Sequence, residues 1–81
     1  MTTRSFCCSV RRAGPSENGK IYIQLSDVGG QFTDLWFTAP DLCKKEMLAT
    51  ALAAISTGHT VNTELDDPVQ EYTQLHKLYH E

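Results

Sequence analysis

Four side chains in two neighbouring strand-like segments could together bind a small polar ligand. Tyr22 and Gln24 lie in the first segment, and Asp34 and Trp36 lie in the second. An aromatic ring can pack against the apolar face of a sugar, while an amide and a carboxylate form hydrogen bonds with its hydroxyl groups. The commoner explanation for such an aromatic pair is cross-strand packing, or burial by a neighbouring subunit. The pattern therefore predicts a ligand-binding surface at these four residues and leaves the packing alternative open.

No other group of residues predicts a reaction. Cys43 would lie in the first turn of a helix, but no histidine and acid accompany it, so a partly buried structural cysteine is the expected role. His76 and His80 would share one face of a helix, a spacing that can bind metal, but a third ligand is missing. We therefore predict no catalytic residue, no metal site and no cofactor, in a protein that is not an enzyme.

The four candidate binding residues require a β-hairpin to position them. Alternating apolar residues predict strands over Lys20–Ser26 and Phe32–Thr38, joined by a turn that contains Gly29 and Gly30. The uncharged face of each strand is expected to be buried, which leaves the four candidates together on the outer face. The resulting register pairs Tyr22 with Trp36, Ile23 with Leu35, and Gln24 with Asp34.

A single helix is expected to pack on the inner face of the sheet. The pattern predicts it over Pro40–Thr57, because proline suits a first helical turn and Gly58 can adopt the left-handed conformation that ends a helix. Five apolar residues at helical spacing are expected to face the core: Met47, Leu48, Ala51, Leu52 and Ile55.

Three further strands complete the predicted fold. Alternation predicts them over Ser5–Arg11, His59–Leu65 and Tyr72–Tyr79. The last is ambiguous, because Pro68 could instead begin a helix; the content of Tyr, Thr and Leu favours the strand. The order β-β-β-α-β-β predicts an α+β, mainly β fold, a small five-stranded OB-like antiparallel barrel with one helix.

Length and charge restrict the function further. The chain has 81 residues and a formal net charge of −3 at pH 7, so we expect one domain spanning residues 1–81. The acidic balance argues against nucleic acid as a partner. No segment is apolar enough to insert into a membrane, and the N-terminus lacks the apolar run of a signal peptide. This predicts a cytoplasmic protein, or the mature form of an exported one.

The three cysteines leave two alternatives open. Cys7 and Cys8 are adjacent in a predicted strand, so they should point to opposite sides, and only one of them could face Cys43. One disulfide with one thiol, or three reduced thiols, both agree with the sequence.

A passage of the chain resembles a known family. The predicted helix ends in ALAAISTG and runs directly into the strand HTVNTEL, which resembles the B subunits of pentameric bacterial toxins of the subtilase-cytotoxin kind, and similar small bacterial proteins. The resemblance covers roughly residues 32–65. It implies an OB-fold, a ring of five identical subunits and binding of cell-surface glycans. No glycan-contact residue of the family matches a position in this chain.

The outer face of the predicted helix also favours a homo-oligomer. This face carries mostly small side chains, which permit close approach of another subunit: Glu46, Ala49, Thr50, Ala53 and Thr57. We therefore expect a small oligomeric binding module with a glycan ligand. The alternative is an intracellular homo-oligomeric adaptor or accessory protein without glycan binding. A third hypothesis, binding of single-stranded nucleic acid, has the aromatic residues in its favour and the charge against it.

Overall fold

The computed structural model describes residues 2–80, and this part of the chain is mainly β with one helix. Its elements follow one another as β1 (Thr2–Pro15), β2 (Ile21–Asp27), β3 (Leu35–Thr38), α1 (Lys44–Thr57), β4 (Thr60–Asp67) and β5 (Lys77–His80). All neighbouring strands pair antiparallel. The predicted class, a five-stranded antiparallel sheet with a single helix, is confirmed.

The strands form one sheet in the order β3-β2-β1-β4-β5, which differs from their order along the chain. β1 lies in the centre and has 14 residues, twice as many as β2. Its first half pairs with β4 and its second half with β2, while Cys8 and Ser9 pair with both neighbours. One long strand therefore joins the two halves of the sheet.

The predicted closed barrel is wrong, because the sheet does not close into a continuous ladder. β3 and β5 are its two edges. The chain before β5 runs beside β3 and contacts it through an isolated parallel bridge between Thr38 and Gln74. The backbone of Tyr72 has a φ of 68°, in the left-handed region, which interrupts the extended chain. As a result the predicted Tyr72–Tyr79 segment is a strand only from Lys77 onwards, where β5 begins, and the alternative C-terminal helix is wrong.

The core lies between α1 and the inner face of the sheet. Alternate residues of β2 and β4 are buried there, as the sequence predicts: Ile21, Ile23, Leu25, Val61, Thr63 and Leu65. Within residues 2–80, Thr63 is the single polar residue that is buried. Its hydroxyl donates a hydrogen bond of 2.8 Å to the carbonyl oxygen of Lys77. This bond satisfies the hydroxyl inside the core and holds β5 against β4.

The helix is shorter and rotated relative to the prediction. It begins at Lys44 rather than Pro40, because the preceding residues form a turn in which the N–H of Cys43 donates to the carbonyl oxygen of Pro40. It ends as expected at Gly58, whose φ is 73°.

The face that α1 buries consists of Met47, Ala51 and Ala54. Two members of the predicted stripe are exposed, Leu52 by 48% and Ile55 by 40%. The two alanines have no atoms beyond Cβ, so the helix backbone can approach the sheet closely on their side. Of the larger side chains in the predicted stripe, Met47 is buried and Leu48 packs partly against the core, whereas Leu52 and Ile55 point towards solvent.

The β2–β3 hairpin has the predicted faces but a different register. The observed pairs are Tyr22 with Thr38, Ile23 with Phe37, Gln24 with Trp36, and Leu25 with Leu35, two residues away from the prediction. The cause is Phe32, which packs into the core with its ring centroid 5.4 Å from Phe6 and 5.7 Å from Phe37. Because Phe32 is used in this way, residues 28–34 form a wide loop instead of a tight turn.

Candidate functional site

Three aromatic side chains meet on the outer face of the sheet. The ring of Tyr22 lies edge-to-face with Trp36 at a centroid distance of 6.5 Å and with Tyr72 at 6.2 Å. Together with Arg12 and residues 13–15 they line an open cavity of about 610 Å³, which we call the aromatic groove. Tyr72 is 60% exposed, whereas Tyr22 and Trp36 are half-buried. The groove therefore exposes the ring of Tyr72 to solvent, while Tyr22 and Trp36 are held in place by their neighbours.

The two polar candidates lie beside this groove and are partly engaged with their neighbours. The carboxylate of Asp34 accepts a hydrogen bond of 2.8 Å from the hydroxyl of Ser26 and lies 3.4 Å from Nε of Arg11. The side-chain amide of Gln24 donates to the carbonyl oxygen of Asp34 at 3.3 Å. These contacts stabilise the β2–β3 loop. Gln24 and Asp34 also line a smaller depression of about 220 Å³, which we call the polar depression.

Arg12 connects the two cavities, and the sequence did not reveal it. Val10 pairs with Leu25 and Arg12 pairs with Gln24, so Arg11 is the extra residue of a β-bulge. The bulge shifts the alternation by one, which brings Arg12 to the outer face, where it lines both the aromatic groove and the polar depression. Within residues 2–80 Arg12 forms no ion pair. The only sign of the bulge in the sequence is that the alternation of apolar and polar residues breaks at Arg12.

Tyr72 is the second functional candidate that sequence reasoning missed. It belongs to the irregular segment that runs beside β3, and its N–H donates to the carbonyl oxygen of Trp36 at 2.6 Å. Thr38 of β3 bonds the same segment twice, by donating to Thr73 and accepting from Leu75. Tyr72 reaches the groove through this long-range contact, which no local pattern encodes.

The remaining chemical candidates lie elsewhere. His76 lies 2.6 Å from a carboxylate oxygen of Asp66. His80 stacks on His59 with ring centroids 5.2 Å apart, and its Nε2 lies 3.3 Å from the Thr57 hydroxyl. Within residues 2–80 no group of three or more His, Cys, Asp and Glu residues is arranged to hold a metal ion. His76 and His80 therefore have separate structural surroundings.

The cysteines occupy three different environments. Cys7 is exposed and Cys8 is buried, so the two point to opposite sides of β1 as predicted. Cys43 immediately precedes α1, is half-buried and packs partly against the core.

The predicted subunit face of α1 is largely accessible. Glu46, Ala49, Ala53 and Thr57 are exposed, and Thr50 is half-buried. The hydroxyls of Thr50 and Thr57 donate to the helix carbonyl oxygens of Glu46 and Ala53. The polarity of these two hydroxyls is thus satisfied within the helix.

No family model, curated protein or solved structure matches this chain. Within residues 2–80, no helix has the length and apolar character needed to cross a lipid bilayer. A functional proposal for this protein must therefore be argued from its own side chains. The most distinctive group of them lines the aromatic groove.

Proposed function

We propose that this protein is a non-enzymatic binding module that holds a carbohydrate in the aromatic groove. The observation that carries the proposal is the convergence of Tyr22, Trp36 and Tyr72 on one open cavity. A volume of about 610 Å³ falls within the range of small-molecule sites, which are lined mainly by apolar and aromatic groups with a few polar ones. Exposed aromatic clusters on a small domain are typical of interaction sites.

The arrangement of the rings suits a sugar. The C–H bonds of a pyranose carry slight positive charge, so they pack favourably against the negative face of an aromatic ring. Because the rings of Trp36 and Tyr72 are each nearly perpendicular to that of Tyr22, at 86° and 88°, they can contact a ligand from different sides. Arg12 and Gln24, at the border of the groove and the polar depression, can form hydrogen bonds with sugar hydroxyls.

Charge favours this ligand over single-stranded nucleic acid. A nucleic acid would also stack on the three rings, but it requires a positive groove along its phosphate backbone. Among the residues that line the aromatic groove, Arg12 is the single cation; the neighbouring guanidinium of Arg11 lies beside the carboxylate of Asp34, and the protein has a formal net charge of −3. A neutral glycan has no such requirement.

We also propose that the module self-associates, and that it is an open relative of OB-type modules. The parallel contact between β3 and the segment before β5 supports the second statement. The exposed side chains of Leu52 and Ile55, next to the small Ala49 and Ala53, support self-association through α1. A ring of five is the size that the resemblance to toxin B subunits implies.

A glycan array followed by titration tests the binding proposal. The array selects a ligand, and chemical-shift titration then compares the wild type with Trp36→Ala and Tyr72→Ala. We expect each variant to lose roughly tenfold or more in affinity, since an aromatic contact contributes about 1 kcal/mol beyond its buried area. Tyr79→Ala is the matched control, because Tyr79 is 57% exposed on β5 and does not line the groove.

Two results would contradict the proposal. If no glycan binds, the alternative adaptor function without glycan binding is favoured. If a thymidine oligonucleotide binds instead, with an affinity that falls steeply as salt is raised, the ligand is single-stranded nucleic acid. In the second case the variants in the groove, compared with Tyr79→Ala, report whether the oligonucleotide uses this surface.

A further inference from the structure

Both hydrogen-bonding groups of the Trp36 backbone contact the segment that carries Tyr72, through two consecutive residues. Its N–H donates to Oε2 of Glu71 at 3.2 Å, and its carbonyl oxygen accepts from the N–H of Tyr72 at 2.6 Å. Glu71 and Trp36 are 35 residues apart in the sequence. A single side chain thus ties the strand that carries one wall of the aromatic groove to the segment that carries another.

The position of Trp36 explains why this contact exists. Trp36 lies on the edge strand β3, and the backbone groups of Thr38, two residues further along, point away from β2 and bond the 72–75 segment. Those of Trp36 point in the same direction. An unpaired N–H on an edge strand needs a partner or water. The carboxylate of Glu71 provides an acceptor, and a charged acceptor forms a stronger bond than a neutral one.

Tyr72 needs such support, because its backbone is in an unfavourable conformation. A φ of 68° is uncommon for a bulky residue and persists only where neighbouring contacts impose it. The hydrogen bond from the N–H of Tyr72 to Trp36 is one of these contacts. The second contact with Trp36 is made by the preceding residue, Glu71, whose carboxylate accepts from the Trp36 N–H. Without them the tyrosine ring would have no fixed place beside Tyr22.

We propose that Glu71 is a positioning residue for the aromatic groove: it holds Tyr72 at the distance from Tyr22 and Trp36 that the ligand requires. The inference rests on the proposed carbohydrate function for its effect on affinity. Its structural part, the dependence of the Tyr72 position on Glu71, stands on the hydrogen bonds alone. Glu71 itself does not line the groove.

Three variants test the proposal by nuclear magnetic resonance. Glu71→Gln keeps an oxygen acceptor, Glu71→Ala removes it, and Asp41→Ala removes an exposed carboxylate that belongs neither to the aromatic groove nor to the predicted subunit face. The first readout is the contact between the rings of Tyr22 and Tyr72 together with hydrogen exchange of the Trp36 amide. The second is affinity for methyl β-galactoside, a probe with one apolar sugar face.

For Glu71→Ala we expect loss of the contact between the two tyrosine rings, exchange of the Trp36 amide accelerated about tenfold, and roughly tenfold weaker binding of the probe. Glu71→Gln and Asp41→Ala should stay within about threefold of the wild type. An unchanged ring contact in Glu71→Ala overturns the inference, as does a lost contact with unchanged affinity. If the wild type does not bind the probe, the ring contact and the amide exchange still decide whether Glu71 holds Tyr72.

Discussion

The rotation of α1 predicts a large loss of stability for one apolar substitution and a small loss for another, five positions apart. Met47 is only 7% exposed and packs in the core, whereas Leu52 is 48% exposed on the outer part of the helix. The substitution Met47→Ala removes buried side-chain atoms and leaves a cavity. In contrast, Leu52→Ala removes atoms of which about half already contact solvent. The sequence pattern alone would treat the two residues as equivalent.

The expected magnitudes follow from these exposures. Replacing a buried methionine by alanine costs about 2–5 kcal/mol in the free energy of unfolding. Full burial of a leucine contributes about 1.5–3 kcal/mol, so half-burial contributes about 1 kcal/mol, and the higher helix propensity of alanine offsets part of that. We therefore expect Leu52→Ala to cost about 0.5–1 kcal/mol. In a domain of 81 residues, Met47→Ala should remove a large part of the total stability.

Urea denaturation provides the measurement, with Trp36 as the single tryptophan reporter and circular dichroism as a second probe. Light scattering at the same protein concentration should accompany it, since an oligomer stabilised by Leu52 would make the transition depend on concentration. Equal losses for the two variants, at a concentration where both are monomeric, would refute the observed orientation of α1. Equal losses are the result that the stripe predicted from the sequence implies, since that stripe contains both residues.

Three further substitutions test other features by similar means. For Thr63→Val we expect a loss of about 1–3 kcal/mol in urea denaturation, because the carbonyl oxygen of Lys77 loses its buried donor. For Gly58→Ala we expect a loss of about 1 kcal/mol in the same assay, caused by the φ of 73° alone, since nothing lies within 4 Å of the added Cβ. For Ala53→Arg we expect a smaller particle in light scattering than the wild type forms; an unchanged particle size would argue against self-association through α1.

The sequence predicted the faces of the strands better than their partners. Alternation in β2 and β4 correctly identified Ile23, Leu25, Val61 and Leu65 as core residues, because burial of one sheet face imposes a period of two whatever the register. The register of the hairpin failed, since it depends on how many residues the loop uses. Phe32 changed that number by packing into the core.

The predictions of the buried helix face and of part of the site were wrong for related reasons. The stripe containing Leu52 follows hydrophobicity, but the observed stripe containing Ala51 and Ala54 follows how closely a helix can approach the sheet, which is a tertiary property. In the site, Tyr22 and Trp36 could be predicted because they lie on neighbouring strands of one hairpin. Arg12 depends on a bulge, and strict alternation excludes it from the outer face.

The division of β1 between the two halves of the sheet affects the order in which the walls of the aromatic groove come together during folding. β1 meets β2 at short sequence separation, and this half contains Tyr22 and Trp36. β4 must close a loop of more than 50 residues to pair with Thr2–Ser9, and the segment carrying Tyr72 follows β4. Such long loops close late and slowly.

The aromatic groove is therefore completed only when the most distant parts of the chain have met. A ligand that contacts Trp36 and Tyr72 together binds the finished fold and not a chain in which only the first half is formed. At a concentration 100 times its dissociation constant, it would stabilise that fold by about 2.7 kcal/mol. β3 and the last part of the chain are joined by an isolated bridge and a few hydrogen bonds instead of a continuous ladder, so a ligand that contacts both would strengthen this junction.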